Sequence, residues 1–448
     1  MKADASQNRM NLMSLTWPIL IETILFMLLG FIDIFVLSRY DDVAASAVSA
    51  ANQVVSICNL VFTIVSGATA ILISQSLGAG QRERASRVAA LSLTFNLALG
   101  LGVSAVVALF SREILGFIGA KNLVLEYGAQ YLQIVGGFIF TQAILNSITS
   151  ILRSHGFTKT SMYVTAIMNG LNALLDSAFV LGWFGLAQLG AAGVAIATTL
   201  ARVIGVAILL YILFHSVESP AIFTKLLPFP KKDFAMMMKV GLPSAFESIN
   251  YNVSQLVVTS IVFQFLTEVD FITKTYVSNI VIFFYIFSTS IGQAAQIMIG
   301  YQVGDRNYSA ADRTCMYSLK AALAIAMPIS IAAIFFRCQL IMVFTADPAV
   351  VATGAALFFI DIFVELGRTF NIVVIDGLKG AGDNLFPVVG AIFSMWLIST
   401  LGAYVLAVPM GLGLSGIWIA FAADECLRAA AMFLRWKSGK WKTKRLVE

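Results

Sequence analysis

Charge is what this sequence has least of. Only 12% of its 448 residues are Asp, Glu, Lys or Arg, against roughly 25% in soluble domains. Hydrophobic residues make up 59%, more apolar surface than a water-soluble chain of this length can hide, so the surplus must face lipid. Histidine is nearly absent, with His155 and His215 alone, and neither belongs to a metal or nucleophile constellation. A membrane-embedded enzyme therefore has little to work with, and no cofactor is expected. The four cysteines, Cys58, Cys315, Cys338 and Cys426, are far apart and lie in or beside apolar runs. Their spacing suits neither a disulfide framework nor a metal site, and they read as reduced packing residues. A cleavable leader is not expected, because the first apolar run is long and lacks a small-residue cleavage pattern after it.

What is present is a series of long apolar runs. Hydrocarbon about 30 Å thick needs roughly 20 apolar residues per helix, so the chain has room for about a dozen spans and short loops. The fold expected is an all-α polytopic membrane protein of twelve transmembrane helices. The first six spans are read at Leu15–Ser38, Ala47–Leu77, Val88–Phe110, Tyr127–Leu152, Thr160–Gly182 and Gln188–Phe214. The second six are Val240–Leu266, Phe271–Val303, Thr314–Phe336, Val350–Ile375, Leu385–Ala407 and Leu412–Trp436. Residues 215–239 between them, with Pro220, Pro228, Pro230 and Lys231-Lys232, read as a polar cytoplasmic linker. The expected domains are thus 1–214, the linker, and 240–448.

The net charge of +5 is concentrated where it argues for a membrane and against nucleic acid. Lys437, Lys440, Lys442, Lys444 and Arg445 crowd the tail after the last run. With the N-terminus inside, the inner segments hold most of the Lys and Arg, so both termini are expected in the cytoplasm of a cell-membrane protein.

The two halves echo each other in order. Pro18 and Glu22 open the first span as Pro243 and Glu247 open the seventh. Gln75 to Gly78 after the second span matches Tyr301 to Gly304 after the eighth, and Arg153 with Gly156 matches Lys379 with Gly382. Gly190, Gly193, Ile196 and Ala197 recur as Gly413, Gly416, Ile419 and Ala420. Six is even, so duplicated halves keep their orientation and relate by a pseudo-two-fold axis along the membrane normal. The glycines near Gly78 and Gly304 read as tight cytoplasmic turns. Gly377, Gly380 and Gly382 make a poor phosphate loop, because no strand precedes them.

Ionisable residues within spans are costly and need a reason. Asp33 lies about 27 Å along the first span and Asp176 about 24 Å along the fifth, at 1.5 Å per residue. Asn172 is one turn before Asp176 on the same face. Two carboxylates and an amide at one depth suit a shared proton or a small cation held by oxygens. The alternative is that they merely brace the bundle through hydrogen bonds. The second half does not repeat the group, since the equivalents of Asp33 and Asp176 fall near Val258 and Gly402. It carries instead Glu247, and Asp361, Glu365, Arg368 and Asn371 in the tenth span. Arg368 beside Glu247 is expected to form an ion pair, leaving this cluster as a gate, an ion pair or a substrate contact. Pro18 either bends the first helix and swings Asp33 or is a first-turn proline without further role. Phe283, Phe284, Tyr285 and Phe287 read mainly as lipid-facing or packing residues.

Taken together, the two-by-six layout, Pro18, Asp33, Gly78-Ala79-Gly80 with its counterpart at Gly304, Asn172 with Asp176, and Leu378 to Asp383 resemble the multidrug and toxic compound extrusion (MATE) family. The resemblance covers essentially the whole chain and is closest to its prokaryotic members. It implies two six-helix lobes that export amphipathic, often cationic compounds by rocking, driven by inward H⁺ or Na⁺. It also implies that Asp33, Asn172 and Asp176 are cation-coupling positions, with possible Na⁺ there, and that Thr198 supplies a further oxygen. Glu247 resembles a coupling glutamate, whereas Arg368 stands where some branches place an acid. The expected partners are small amphipathic substrates and the bilayer, with the protein a monomer. A flippase of lipid-linked saccharides is the alternative, but such a protein calls for a large cationic cleft, and Arg202, Lys320, Arg368 and Arg428 read as scattered.

Overall fold

A computed structural model of the protein describes residues 11–183 and 188–447 and is helical almost throughout. The first ten residues, expected on the cytoplasmic side, lie outside the described residues. In chain order the helices are α1 (Leu12–Ser38), α2 (Asp42–Gly78), α3 (Arg82–Leu109), α4 (Ser111–Ile118), α5 (Asn122–Gly137), α6 (Phe140–Ser154), α7 (Thr158–Leu181) and α8 (Gly190–Ser216). They continue as α9 (Lys231–Phe265), α10 (Glu268–Gly304), α11 (Tyr308–Phe335), α12 (Arg337–Met342), α13 (Pro348–Ala381), α14 (Leu385–Ser394), α15 (Leu401–Ala407) and α16 (Gly413–Lys437).

Among the described residues nine helices are long and apolar enough to cross a membrane, counting the run from Leu385 to Ala407 as one. The bent pair α5 and α6, meeting at 46°, adds a tenth. The bend has a local cause. Gly136 lies so close to Val107 that a Cβ there would overlap the valine side chain, and the chain turns at Phe138 and Ile139 immediately after. The seventh and twelfth predicted places are occupied by α9 and α16, which fall outside that set. Their sequences explain it: α9 carries Glu247, Asn250, Asn252 and Gln255, and α16 carries Asp424, Glu425 and Arg428.

Helix ends follow local chemistry. At α10, Thr267 Oγ1 accepts from the Asp270 amide at 3.2 Å while Asp270 accepts from the Thr267 amide at 3.1 Å, a reciprocal cap for two otherwise unpaired donors. Asp347 caps α13, with Pro348 at the first helical position, where its missing N–H costs nothing. Pro18 is different. It is the seventh residue of α1, past the first turn, so it leaves a carbonyl of the preceding turn without its donor. The first-turn reading of Pro18 is thereby corrected.

Contacts divide the chain into two compact units, residues 1–74 with 81–241, and residues 75–80 with 242–448. The division falls inside α9, next to Pro243. The stretch expected to be a linker is largely structured, with a short 3-10 helix at Pro220–Leu226 followed by the start of α9. Asp233 there accepts from Arg84 at 2.9 Å and Arg87 at 3.1 Å. In the first unit, Leu37, Val48, Phe62, Leu132 and Val194 form the core, and α1, α7 and α8 pack on one another. In the second, Val258, Val277, Phe284, Phe358 and Trp418 do so, and α13 packs against both α10 and α16. Large apolar side chains on the outer faces, such as Phe31, Phe35, Phe263 and Phe335, are exposed, as lipid-facing positions must be.

Candidate functional site

The polar centre of the first unit is assembled by close helix contact. At Gly193 of α8 an added Cβ would fall 3.0 Å from the Phe179 carbonyl oxygen of α7, so glycine lets these helices approach between Asp176 and Thr198. Asp33, Asn172, Asp176 and Thr198 are all buried, none more than 2% exposed. Thr198 Oγ1 donates to Asp33 Oδ2 at 3.3 Å, and the two carboxyls lie within hydrogen-bonding range of each other. The carboxylates from the first and fifth spans therefore do converge.

Asn172 sits between them, and the orientation of its amide that satisfies both ends has the nitrogen donating to Asp33 Oδ1 at 3.1 Å and Asp176 Oδ2 at 3.2 Å, with the oxygen beside Thr198 Oγ1 at 3.3 Å. Asp176 Oδ1 is buried with no hydrogen-bond partner among the described residues.

Sequence reasoning missed two members of this group. Arg202, one turn after Thr198, is buried and interacts electrostatically with Asp33 and Tyr131. Tyr131 of α5 is fully buried and donates to Asn52 Oδ1 at 3.0 Å. By sequence Arg202 is one of four scattered cations, although its i,i+4 spacing from Thr198 is a usable signal. With two carboxylates and one guanidinium ionised, the centre carries one net negative charge.

The second unit departs from expectation. Glu247 does not pair with Arg368; it accepts from Lys379 Nζ at 2.8 Å. The reason lies in the duplication. Glu22 pairs with Arg153 at 2.7 Å in the first unit, and Glu247 and Lys379 are the repeat counterparts of those two residues. Arg368 turns instead to Glu365 at 2.5 Å and Glu425 at 3.5 Å. Arg428 binds Asp424 at 3.1 Å and Glu425 at 2.9 Å, and Asn371 donates to Glu425 Oε2 at 2.6 Å. Asp361 accepts from Trp418 Nε1 at 3.1 Å. Of the predicted C-terminal cluster, Asp361, Glu365 and Arg368 are together and Glu247 belongs to another contact. The α16 acids Asp424 and Glu425 were missed, as was Lys274 in the eighth span. Phe284 is buried in the core while Phe283 is exposed, in line with packing and lipid-facing roles.

A family model, MatE, matches this chain twice, over residues 18–178 and 243–405, beginning at Pro18 and again at its counterpart Pro243. The transporter YisQ of Bacillus subtilis (strain 168), described as uncharacterised, is 38% identical over 96% of this chain and 94% of its own length. The probable multidrug resistance protein NorM of Thermotoga maritima is 26% identical over 100% of this chain and 96% of its own. A crystal structure of a MATE protein in a bent conformation superposes with a TM-score of 0.89 at 21% identity, covering 97% of this chain and 96% of that one, a likeness of fold.

Proposed function

The chain belongs to the MatE family of multi-pass membrane transporters, and from that premise we propose that it is a secondary antiporter. It exports amphipathic drugs or toxic organic compounds across the cell membrane in exchange for one inward H⁺ or Na⁺. Its twelve helices span the bilayer as two sets of six with both termini cytoplasmic, and it works as a monomer.

The observation that supports this most directly is Asp176 Oδ1, a carboxylate oxygen buried without a hydrogen-bond donor among the described residues. An orphaned charged acceptor in a span is expensive, and a proton or a cation there removes the cost. The donor set fits a small monovalent cation: carboxylate oxygens from Asp33 and Asp176, both buried. Among the described residues no third acid or histidine joins them to make a site for a more highly charged metal.

Asn172, whose amide nitrogen lies within donating distance of both carboxylates, supplies the switch. With the cation or proton absent, the amide nitrogen reaches toward both carboxylates and offsets their repulsion. With the charge neutralised, that need disappears, and the amide can turn its nitrogen to Thr198. Neutralisation loosens the hold of α7 and α8 on Asp33, and α1, already short of one hydrogen bond at Pro18, repacks. In the outward-facing state substrate leaves as the ion enters; release of the ion to the cytoplasm restores affinity for substrate.

The test is dye efflux from proteoliposomes under separately imposed H⁺ and Na⁺ gradients. Asp33→Asn is expected to abolish gradient-driven efflux while remaining folded and inserted. Undiminished efflux by that variant, or translocation of saccharide-linked lipid without any dye efflux, overturns the proposal.

A further inference from the structure

The second unit holds a cavity of about 240 Å³, smaller than the roughly 300–1,000 Å³ of drug-sized sites. Its wall contains acids and bases in equal number: Asp361, Asp424 and Glu425 against Lys274, Arg368 and Arg428. Most of these are already committed. The two guanidiniums are tied to Glu365, Asp424 and Glu425 by the four ion pairs described above.

Two groups remain. Among the described residues the Lys274 ammonium has no carboxylate within ion-pair distance, and its one side-chain hydrogen bond is to Thr259 Oγ1 at 3.0 Å. Asp361 is held through Oδ1 by the Trp418 indole; Arg368 acts on it electrostatically, but among the described residues no cation lies within ion-pair distance of it. Both line the same cavity. Their spacing can be read from packing. Thr273, beside Lys274, lies against Gly354 of α13, and Asp361 is seven residues further along α13. Seven residues are two turns, so Asp361 lies on the order of 10 Å along α13 from the level at which Thr273 touches it. The same wall includes the rings of Tyr251, Tyr285, Trp418 and Phe421.

We propose that this cavity binds a small zwitterion whose anionic group meets Lys274 and whose amine meets Asp361, with a short apolar stretch between. A simple cation is disfavoured by Lys274, and by arginines that already occupy the neighbouring carboxylates. A simple anion is disfavoured by Asp361 and by the acid excess behind Arg368. Only a ligand carrying both signs leaves neither group unpaired, and unpaired buried groups are what such sites discriminate by. The wall also contains a helical irregularity. Met395 and Ser399 belong to a π-helical turn, Met395–Thr400, between α14 and α15. Thr400 Oγ1 donates to the Met395 carbonyl at 2.8 Å and meets Ser254 Oγ at 2.7 Å, and such turns recur at functional sites.

This inference names a substrate class for the exporter reading, and only its transport direction rests on that reading. The probe set is 4-aminobutyrate, 6-aminohexanoate and 8-aminooctanoate, with hexylamine and hexanoate as single-charge controls. Binding is measured by calorimetry on the full chain in detergent. At least one ω-amino acid is expected to bind about tenfold or more tighter than both controls. Lys274→Met is expected to lower its affinity to that of hexylamine, and Asp361→Asn to that of hexanoate. Where Lys274→Met does not fold, Lys274→Gln makes the same comparison. Hexylamine or hexanoate binding as tightly as every ω-amino acid, or no ω-amino acid binding at all, overturns the proposal. Gradient-driven dye efflux without binding of any ω-amino acid overturns this site and leaves the exporter reading standing, whereas ω-amino acid binding without gradient-driven efflux does the reverse, so the two failures give different results.

Discussion

At the scale of single residues, Arg202 changes the arithmetic of the proposed coupling. Asp33 and Asp176 alone offer two negative charges, enough for two ions. Arg202 interacts with Asp33 from within the same buried centre, leaving one charge to neutralise. Arg202→Gln should restore the second, and the ion-to-substrate ratio is expected to rise about twofold, read from the reversal potential of transport. An unchanged ratio would show that the guanidinium plays no part in the count. Outside the spans, Glu218 is a simpler case. Its carboxylate accepts from Ser86 Oγ at 2.8 and 3.0 Å, yet burial, the largest influence, pushes its pKa above the ordinary value. The folded chain thus holds that proton more tightly than the unfolded one. The resulting stabilisation is full below the unfolded value near pH ~4.3 and is lost as pH rises through the raised one. Glu218→Gln, which stays neutral, is expected to gain melting temperature relative to the native protein between about pH 4 and about pH 7. An equal difference at both ends would remove the burial effect.

At the scale of elements, the repeated glycine turns are contact points. Residues 75–80 group with the second unit, where Gly78 lies against Tyr301 and Gly304 against Gln75. These are repeat counterparts meeting reciprocally, and a Cβ at either glycine would overlap a backbone carbonyl, which cannot swing away as a side chain can. Gly304→Ala is therefore expected to destabilise by about 1–3 kcal/mol, the usual cost of overpacking, seen as a lower melting temperature. Gly102→Ala, with open space around its Cβ, serves as the control and should change little. Equal melting temperatures for the two variants would mean that the turns separate without cost. The ion pairs Glu22–Arg153 and Glu247–Lys379 belong to the same scale, since each ties the start of its unit to the end of a helix that the duplication has copied.

For the whole molecule, the proposed count of one ion per cycle would set what can be concentrated. A charge crossing about 100 mV contributes roughly 2.3 kcal/mol, and one pH unit about 1.4. Exchange of one ion for a zwitterion or a neutral compound uses both, which supports a gradient of several hundredfold. Exchange for a monovalent cation moves no net charge and leaves about tenfold per pH unit. An imposed membrane potential is thus expected to stimulate efflux of 6-aminohexanoate and leave efflux of a monovalent cationic dye unchanged, both followed in the same proteoliposomes. Equal stimulation of the two would contradict a count of one.

The sequence by itself determined the class of fold, because 448 residues with so little charge have no solvent but lipid in which to bury their surface. It determined the duplication, because Pro18 with Pro243 and Arg153 with Lys379 keep order and spacing. It also determined that Asp33, Asn172 and Asp176 reach one depth, because helical rise converts residue number into distance. It could not determine partners across helices. Arg368 stood at a depth that suited Glu247, yet rotation about the helix axis gave Arg368 to Glu365 and Glu425 and gave Glu247 to Lys379. The same rotation brought Arg202 toward Asp33 and set Lys274 and Asp361 on one wall. Depth is a property of the chain, whereas facing is decided only when one helix packs against another.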